Sequence, residues 1–418
     1  MAQLRKRVAW QFFGQATYSA SWWIVVAILA KLTSPDMVGR FTFATSLLAP
    51  IFAFANSQLQ AIIASDVDFR FSFRSALFFR SLTSTGAIIV AAAFSFTAKD
   101  PYISALVLVM GILRACESYS DICYGVLQRN ARNYLIAASM TARGLSSALL
   151  ICIAVAAGGS LFLGVGASAV AALVILLSLD LRNAFSLVRQ NPATASRETD
   201  FSLETQLGIA KVALPMALVL LINTVSVNAP RYSLQMFEGP TSVGYFSAIF
   251  YVSVVLNLAT SALCSVVLPN FAAHLRTNVD MFLKLLRTGI VYLLSLSAVF
   301  IAGAILFGRE ILALLYTPAY GAFHIEFVLV MVSVSISAIS SLLGTAITAS
   351  QSYWPQFYGS LVFVAASAVF SLAGAYSYGV LGASVGYCLS WMVKLGVNVV
   401  ILRQRLKRFP RANTTTEA

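Results

Sequence analysis

The stretch that decides the fold is PDMVGRF at positions 35–41, because a close copy, PTSVGYF, returns at positions 240–246. Each copy opens a long run of small and apolar residues. A second pair, LGV at 163–165 and LGA at 381–383, opens the last apolar run of each half. Internal repetition of this kind is typical of transporters built from two related halves. The pattern therefore predicts a membrane bundle that occurs twice in one chain, and it favours a carrier.

The composition indicates a protein surrounded by lipid. Of 418 residues, 59% are hydrophobic and only 10% are charged, too few to cover a soluble protein of this length. The net charge of +13 would suggest nucleic acid in a soluble protein. Here it is better explained by basic cytoplasmic loops lying beside anionic lipid headgroups, so membrane lipids and not nucleic acid are the expected partners.

Windows of about twenty apolar residues have the length that crosses a bilayer, and they must be helical so that backbone groups are satisfied within each segment. The sequence predicts about twelve such spans in an all-α polytopic membrane protein. They lie at 10–30, 41–63, 76–97, 102–126, 134–157, 161–181, 207–228, 242–268, 285–307, 324–350, 356–377 and 379–402.

The loop charges predict the orientation. With the N-terminus in the cytoplasm, most loop Lys and Arg residues fall on the cytoplasmic side. The opposite loops hold only Lys31, Arg40, Lys99, Arg231 and Arg309. This bias places both termini in the cytoplasm. The first span has no small-residue cleavage site and is expected to remain as a helix.

One long polar stretch divides the chain into two predicted bundles of six helices each, around a central cavity. We expect an N-terminal bundle at 1–189, a cytoplasmic linker at 190–206, a C-terminal bundle at 207–405 and a cytoplasmic tail at 406–418. The end of the tail is polar and typical of disordered segments.

Ionisable residues within spans are expensive, so each is a candidate site residue. The densest group is Arg114, Glu117 and Asp121 in the fourth span, whose spacing places all three on one helix face. Two interpretations remain open: a structural ion pair between Arg114 and Glu117, or a polar stripe along a water-filled cavity. A structural ion pair needs only two charges, so the presence of a third charge on the same face favours the cavity.

Four further basic residues complete the candidate set: Arg143, Lys394, Lys211 and Arg231. Lys211 lies near a span end and can equally reach the headgroups, and Arg231 can equally act as an interfacial anchor. Basic residues outnumber the deep acids, which suits an anion, and the guanidinium fork suits phosphate oxygens. Glu117 and Asp121 are the candidates for proton or sodium coupling, if transport is coupled.

Pro50 and Pro215 lie inside the second and seventh spans, where each removes one helical hydrogen bond and permits a bend. Spans broken at related positions of two halves are a device of alternating-access carriers. Both prolines are therefore candidate hinges.

The sequence gives little support for an enzyme. The Asp-x-Asp at Asp66 and Asp68 follows the pattern that holds metal–nucleotide complexes in glycosyltransferases, but it lies in a short loop with no soluble domain around it. No nucleotide-binding loop, catalytic triad or metal-ligand spacing is legible, and the cysteines all fall inside apolar runs. We therefore predict neither a cofactor nor a metal.

The chain resembles the Wzx-type O-antigen and exopolysaccharide flippases of the multidrug/oligosaccharidyl-lipid/polysaccharide superfamily over nearly its whole length. The stretches that carry the resemblance are packing and turn motifs: VGRF at 38–41, PRYSL at 230–234, VGYFSA at 243–248, LY at 315–316 with YG at 320–321, and GVLGAS at 379–384. None of them is a catalytic signature.

The resemblance implies a bacterial inner-membrane flippase for oligosaccharide linked to undecaprenyl pyrophosphate, working by alternating access. It also implies work beside a polysaccharide polymerase and chain-length machinery. Cationic cavity residues would engage the pyrophosphate, and Arg114, Arg143 and Lys394 are the candidates by position and chemistry. Two alternatives remain: an ion-coupled small-molecule exporter of the same superfamily, and a membrane enzyme such as a polymerase or ligase, which would need a large outer loop.

Overall fold

The computed structural model describes residues 2–65, 72–97, 100–190, 201–350 and 353–407. The chain divides into two compact units, Met1–Val225 and Ser226–Ala418, and the division falls inside one long helix. The predicted linker lies largely outside the described residues, as do the Asp-x-Asp loop and almost all of the tail.

The first unit contains eight helices and the start of a ninth among its described residues. They are α1 (Ala2–Leu32), α2 (Pro35–Asn56), α3 (Leu59–Ser65), α4 (Phe73–Thr97), α5 (Pro101–Arg129), α6 (Asn133–Ala156), α7 (Leu161–Ile175), α8 (Arg182–Gln190) and α9 (Leu203–Phe237). A π-helical segment, Leu176–Leu181, joins α7 to α8. Helix α5 is central, because it packs against α2, α3, α4, α6, α7 and α8.

The second unit contains the end of α9 and five further helices among its described residues. These are α10 (Pro240–Tyr251), α11 (Val254–Thr277), α12 (Val279–Leu315), α13 (His324–Ala349) and α14 (Tyr353–Leu406), with a 3₁₀ turn at Pro318–Phe323. Here α13 is central, since it packs against α10, α11, α12 and α14. Helices α5 and α13 correspond to the fourth predicted span of each half.

The all-helical polytopic fold is confirmed. Eleven helices of the described residues are long and apolar enough to cross a membrane, and the last of them covers 53 residues, Trp354–Leu406. That length is over twice what one crossing needs. Its backbone is non-helical at Tyr378 and Gly379, and Gly374 and Gly382 touch across this point, so the chain reverses there. Counted as two spans, the helix gives the predicted twelve.

Two of the predicted spans contain a break in the helix. The span at 41–63 ends as a helix at Asn56 and restarts at Leu59, because Ser57 and Gln58 both adopt left-handed backbone angles. The span at 242–268 is split by a turn at Val252 and Ser253 into α10 and α11. Apolar runs measure hydropathy and not backbone continuity, so neither break is visible in the sequence.

The chain passes through Pro50 inside α2 and through Pro215 inside α9 without ending either helix. The break in the second span lies after Pro50, at Ser57 and Gln58. The hinge role of the two prolines stays a prediction.

The repeated motif lies at the start of a helix in each unit, and a different type of interaction stabilises that helix start in each case. In the first unit Ser34 caps α2, while Arg40 forms ion pairs with Asp36 at 2.7 Å and with Asp100, the cap of α5, at 3.1 Å. At the equivalent position in the second unit, Tyr245 stacks on Phe323 with ring centres 4.2 Å apart. Corresponding helix starts are therefore stabilised by ion pairs in the first unit and by aromatic stacking in the second.

Candidate functional site

Arg114 and Glu117 meet on one face of α5, as their spacing predicts. Arg114 Nη1 lies 2.7 Å from Glu117 Oε2, and the Arg114 guanidinium lies over the Trp22 ring at 5.2 Å from its centre. Tyr18 of α1 donates a hydrogen bond to the other carboxylate oxygen of Glu117. The ion pair on α5 is therefore contacted by two residues of α1. Both of its side chains keep some exposure, 23% for Arg114 and 14% for Glu117.

Asp121, one turn further along α5, pairs with an arginine from another helix. Arg80 of α4 is fully buried, and its Nη2 lies 3.4 Å from Asp121 Oδ2. The same guanidinium donates to the carbonyl oxygens of Ala55 and Asn56, each at 3.0 Å, and to Asn56 Oδ1 at 2.8 Å. These are the last carbonyls of α2, which have no partner inside the helix. Arg80 thus caps the broken end of α2 and ties it to α5.

Arg143 of α6 has the most enclosed ion pair of the three. Its Nη2 lies 2.8 Å from Asp180 Oδ2 and donates to Ser120 Oγ, and the two charged side chains are 4% and 1% exposed. Asp180 lies in the π-helical segment between α7 and α8. π-Helical segments are rare in proteins, but those that do occur are frequently found at functional sites.

At least one residue of each of these three ion pairs lines a cavity of about 350 Å³ within the first unit, whereas Arg80 and Asp180 are not among the residues that line it. Four of the sequence-predicted residues line it: Arg114, Glu117, Asp121 and Arg143. Tyr18, Asn56 and Tyr124 add polar groups to the wall. The α5 charges therefore form ion pairs and also face a cavity, and their role at this site stays a prediction.

The cavity is not strongly cationic. Arg114, Arg80 and Arg143 each have a carboxylate partner, so the three pairs are formally neutral. A guanidinium has five N–H donors, and one carboxylate cannot occupy all of them. The arginines can therefore contact an anion while their carboxylate partners compete for the same donors.

The other predicted residues are not among those that line this cavity, and Lys394 and Arg231 belong to the second unit. Lys211 is exposed on α9. Lys394 is buried on α14, with Nζ 3.1 Å from Ser360 Oγ and 5.5 Å from the centre of the Phe363 ring. Arg231 is buried in the second unit, where it bonds Ser247 and Asn228 and lies 4.7 Å from the centre of the Phe250 ring.

Sequence reasoning missed Arg80, Asp180, Tyr18 and Asn56. Arg80 and Asp180 fall close to predicted span ends, where a charge is ordinarily explained by the headgroup region. Tyr18 and Asn56 carry no charge and give no signal of their own. A chain search for ionisable residues without regard to span position would have found the first two.

The fold is that of known transporters. The chain matches the lipid II flippase MurJ in an inward closed conformation with a TM-score of 0.72 and 12% identity, over 95% of this chain and 87% of that one. It matches an inward-facing multidrug-resistance MATE transporter with a TM-score of 0.67 and 15% identity, over 93% and 94% of the two chains. A mutant of the MATE transporter VcmN of Vibrio cholerae matches with a TM-score of 0.65 and 14% identity, over 97% of each chain.

Among curated proteins, the chain is similar to the capsular polysaccharide biosynthesis protein CapF of Staphylococcus aureus. The two are 23% identical over 382 residues, which is 89% of this chain and 92% of that protein. No family model matches the chain.

Proposed function

We propose that this protein is a member of the multidrug/oligosaccharidyl-lipid/polysaccharide superfamily. In this proposal it moves an oligosaccharide on undecaprenyl pyrophosphate from the cytoplasmic to the periplasmic leaflet of the bacterial inner membrane. The observation that carries the proposal is the cavity of the first unit, around which Arg114, Arg143 and the nearby Arg80 are gathered. The similarity to CapF supports a polysaccharide substrate, and the MurJ-like fold supports a lipid-linked one.

The chemistry suits a pyrophosphate headgroup. Guanidinium groups bind phosphate oxygens through two parallel hydrogen bonds, and such charge-assisted bonds are the strong ones. Arg114 is the most accessible of the three arginines, and its competitor for an incoming anion is Glu117. We propose that the pyrophosphate displaces the Glu117 carboxylate from Arg114 when the cargo enters.

Transport then follows by alternating access. In this proposal both termini lie in the cytoplasm, and the sugar enters the cavity from that side while the lipid tail stays in the bilayer. Two bundles, 1–189 and 207–405, are joined by the linker 190–206. Their movement against each other releases the sugar on the outer side. The inside of the cell is negative, so outward movement of an anion is favourable by about 2.3 kcal/mol per charge per 100 mV. Coupling to an ion gradient is therefore not required energetically.

The experiment that tests this function is the leaflet location of lipid-linked oligosaccharide in cells with and without the protein. We expect accumulation on the cytoplasmic leaflet only in its absence. The variant Arg114→Ala should reproduce that accumulation at normal protein level, whereas Arg309→Ala, which removes an exposed charge on α12, should not. Unchanged sidedness without the protein would exclude the proposal.

The second candidate is an ion-coupled exporter of small molecules. The neutral ion pairs of the cavity favour it, because they remove part of the argument that the site selects anions. The MATE-like fold supports it as well. Deletion would then change susceptibility to toxic compounds and leave the lipid-linked sugar where it was.

A further inference from the structure

A second polar cavity, of about 410 Å³, lies beside the arginine cavity in the first unit. Its wall is rich in side-chain amides: Asn56, Gln58, Gln60, Gln11 and Gln128. Asn56, Asp121 and Ala53 line both cavities, so the two share a wall.

The broken second span builds this wall. Ser57 and Gln58 adopt left-handed backbone angles (φ of 50° and 54°), an unusual conformation for residues other than glycine. Arg80 holds the preceding helix end by its carbonyls. The result is that Asn56, Gln58 and Gln60, from both sides of the break, face the same space. Strained backbone of this kind persists where surrounding contacts hold it, and it gathers at functional sites.

The donors and acceptors of this wall suit a polyhydroxylated ligand. A side-chain amide offers an acceptor oxygen and two N–H donors, and a carboxylate accepts only. A sugar hydroxyl both donates and accepts, so it can pair with either group. The side chain of Gln58 has no hydrogen-bond partner within the part of the chain that the structure describes. Gln60 and Gln128 bond each other at 3.3 Å and use only one donor and one acceptor in doing so.

We propose that the amide-lined cavity is a sugar subsite, which binds hydroxyl groups of the first sugar while the arginine cavity holds the pyrophosphate. This inference rests on the proposed function. In a lipid-linked sugar the anomeric carbon is bonded directly to a phosphate oxygen, so a sugar subsite must adjoin the phosphate subsite. The shared wall of Asn56 and Asp121 satisfies that requirement.

The test compares two lipids on the purified full-length protein. One is undecaprenyl pyrophosphate without sugar, and the other is the lipid-linked oligosaccharide extracted from cells that lack the protein. The test variant is the double substitution Gln60→Leu/Gln128→Leu. Its matched control is Gln15→Leu, an exposed glutamine one turn after Gln11 on α1.

We expect the double variant to bind the sugar-bearing lipid at least tenfold more weakly and the sugar-free lipid as wild type does. Retained binding of the sugar-free lipid shows in the same preparation that the variant is folded. The control should bind both lipids normally. The double variant Gln60→Leu/Gln128→Asn, which keeps an amide at position 128, should recover part of the affinity for the sugar-bearing lipid.

Two results would overturn the subsite. One is unchanged affinity for the sugar-bearing lipid, and the other is an equal loss for both lipids. In either case wild-type binding of both lipids would leave the proposed function standing. If the wild-type protein binds neither lipid, the proposed function itself fails.

Discussion

At the scale of single residues, the three arginines of the first unit differ in burial, and this separates their roles. Arg114 keeps 23% of its side chain exposed, whereas Arg80 and Arg143 are almost fully enclosed. Removing one partner of a buried ion pair leaves an unpaired charge and is strongly destabilising, while replacing both partners with apolar residues is much milder. Loss of stability and loss of transport can therefore be distinguished residue by residue.

We predict that Arg143→Leu lowers the stability of the protein by about 3–5 kcal/mol, because Asp180 is left buried without its partner. The double variant Arg143→Leu/Asp180→Leu should recover most of that loss. The measurement is the thermal unfolding midpoint in detergent. Equal destabilisation of the single and double variants would show that the pair itself holds the helices together.

For Arg114→Ala we predict the opposite pattern. The fold should be nearly unaffected, since the side chain is partly exposed. Under the proposed function the flipping rate should fall about tenfold or more, because the proposed charge-assisted hydrogen bond to the cargo would be lost. Transport into the outer leaflet, normalised to protein level, is the quantity to measure. Normal transport by both Arg114→Ala and Arg143→Ala would exclude a role for these arginines.

Glu117→Gln tests whether ion coupling uses this site. The Glu117 carboxylate faces Arg114 and Tyr18, and it shares its cavity with Asp121 and Arg143. If Glu117 is the coupling site under the proposed function, wild-type flipping should respond to a proton or sodium gradient, and Glu117→Gln should flip at a rate that no longer responds to it. A wild-type rate that is insensitive to pH and to sodium would remove the coupling role.

At the scale of helices, close backbone contacts at glycine decide how neighbouring segments pack. In α14 a Cβ added to Gly382 would collide with the carbonyl oxygen of Gly374, and one added to Gly386 would collide with that of Phe370. No side chain fits there without separating the two arms of the hairpin.

We therefore predict that Gly382→Ala reduces folded protein in the membrane, with an overpacking penalty of about 1–3 kcal/mol or more. Gly396→Ala is the matched control on the same helix, since nothing lies within 4 Å of its added Cβ. It should be neutral or stabilising by up to about 1 kcal/mol, because alanine favours helix over glycine. Expression and monodispersity in detergent report the difference.

The sequence predicted elements better than it predicted their interruptions. Span positions follow from hydropathy, and the face shared by Arg114, Glu117 and Asp121 follows from helical periodicity, so both could be read directly. The break at Ser57 and Gln58 is accompanied by a contact from Arg80, which reaches the end of α2 from α4. A tertiary contact of this kind leaves no periodic trace, and the amides that it exposes could not be recognised beforehand.

At the scale of the whole molecule, the apolar spans and the internal repeat made the all-helical membrane fold predictable. Which of the intramembrane charges come together was not predictable, because that depends on the rotation of each helix within its unit. Lys211, Lys394 and Arg231 were selected as intramembrane charges just as Arg114 and Arg143 were, but only the last two line the cavity of the first unit. Charge inside a span indicates a site residue and does not say which site.

The predicted orientation can be tested with reporter fusions. Alkaline phosphatase, which is active only outside the cytoplasm, should be inactive when fused after Arg405 and active when fused at Gly239, between α9 and α10. The positive-inside distribution of Lys and Arg is the reason for both expectations. The reverse pattern of activity would show that the whole chain is inserted the other way.

The ion pairing of the arginines has a consequence for an empty transporter inside a living cell. The cytoplasm holds millimolar nucleotides and inorganic phosphate, and an open basic pocket would attract them and be blocked by them. Because each arginine here has a carboxylate in contact, the three pairs add no net charge that would attract dissolved anions. Under the proposed function, a cargo that is confined to the membrane by its own hydrocarbon tail is concentrated beside the cavity and can compete with those carboxylates, whereas dissolved anions are not concentrated in this way. The fidelity of the transporter would then come from where its cargo is dissolved as much as from the contacts that it makes.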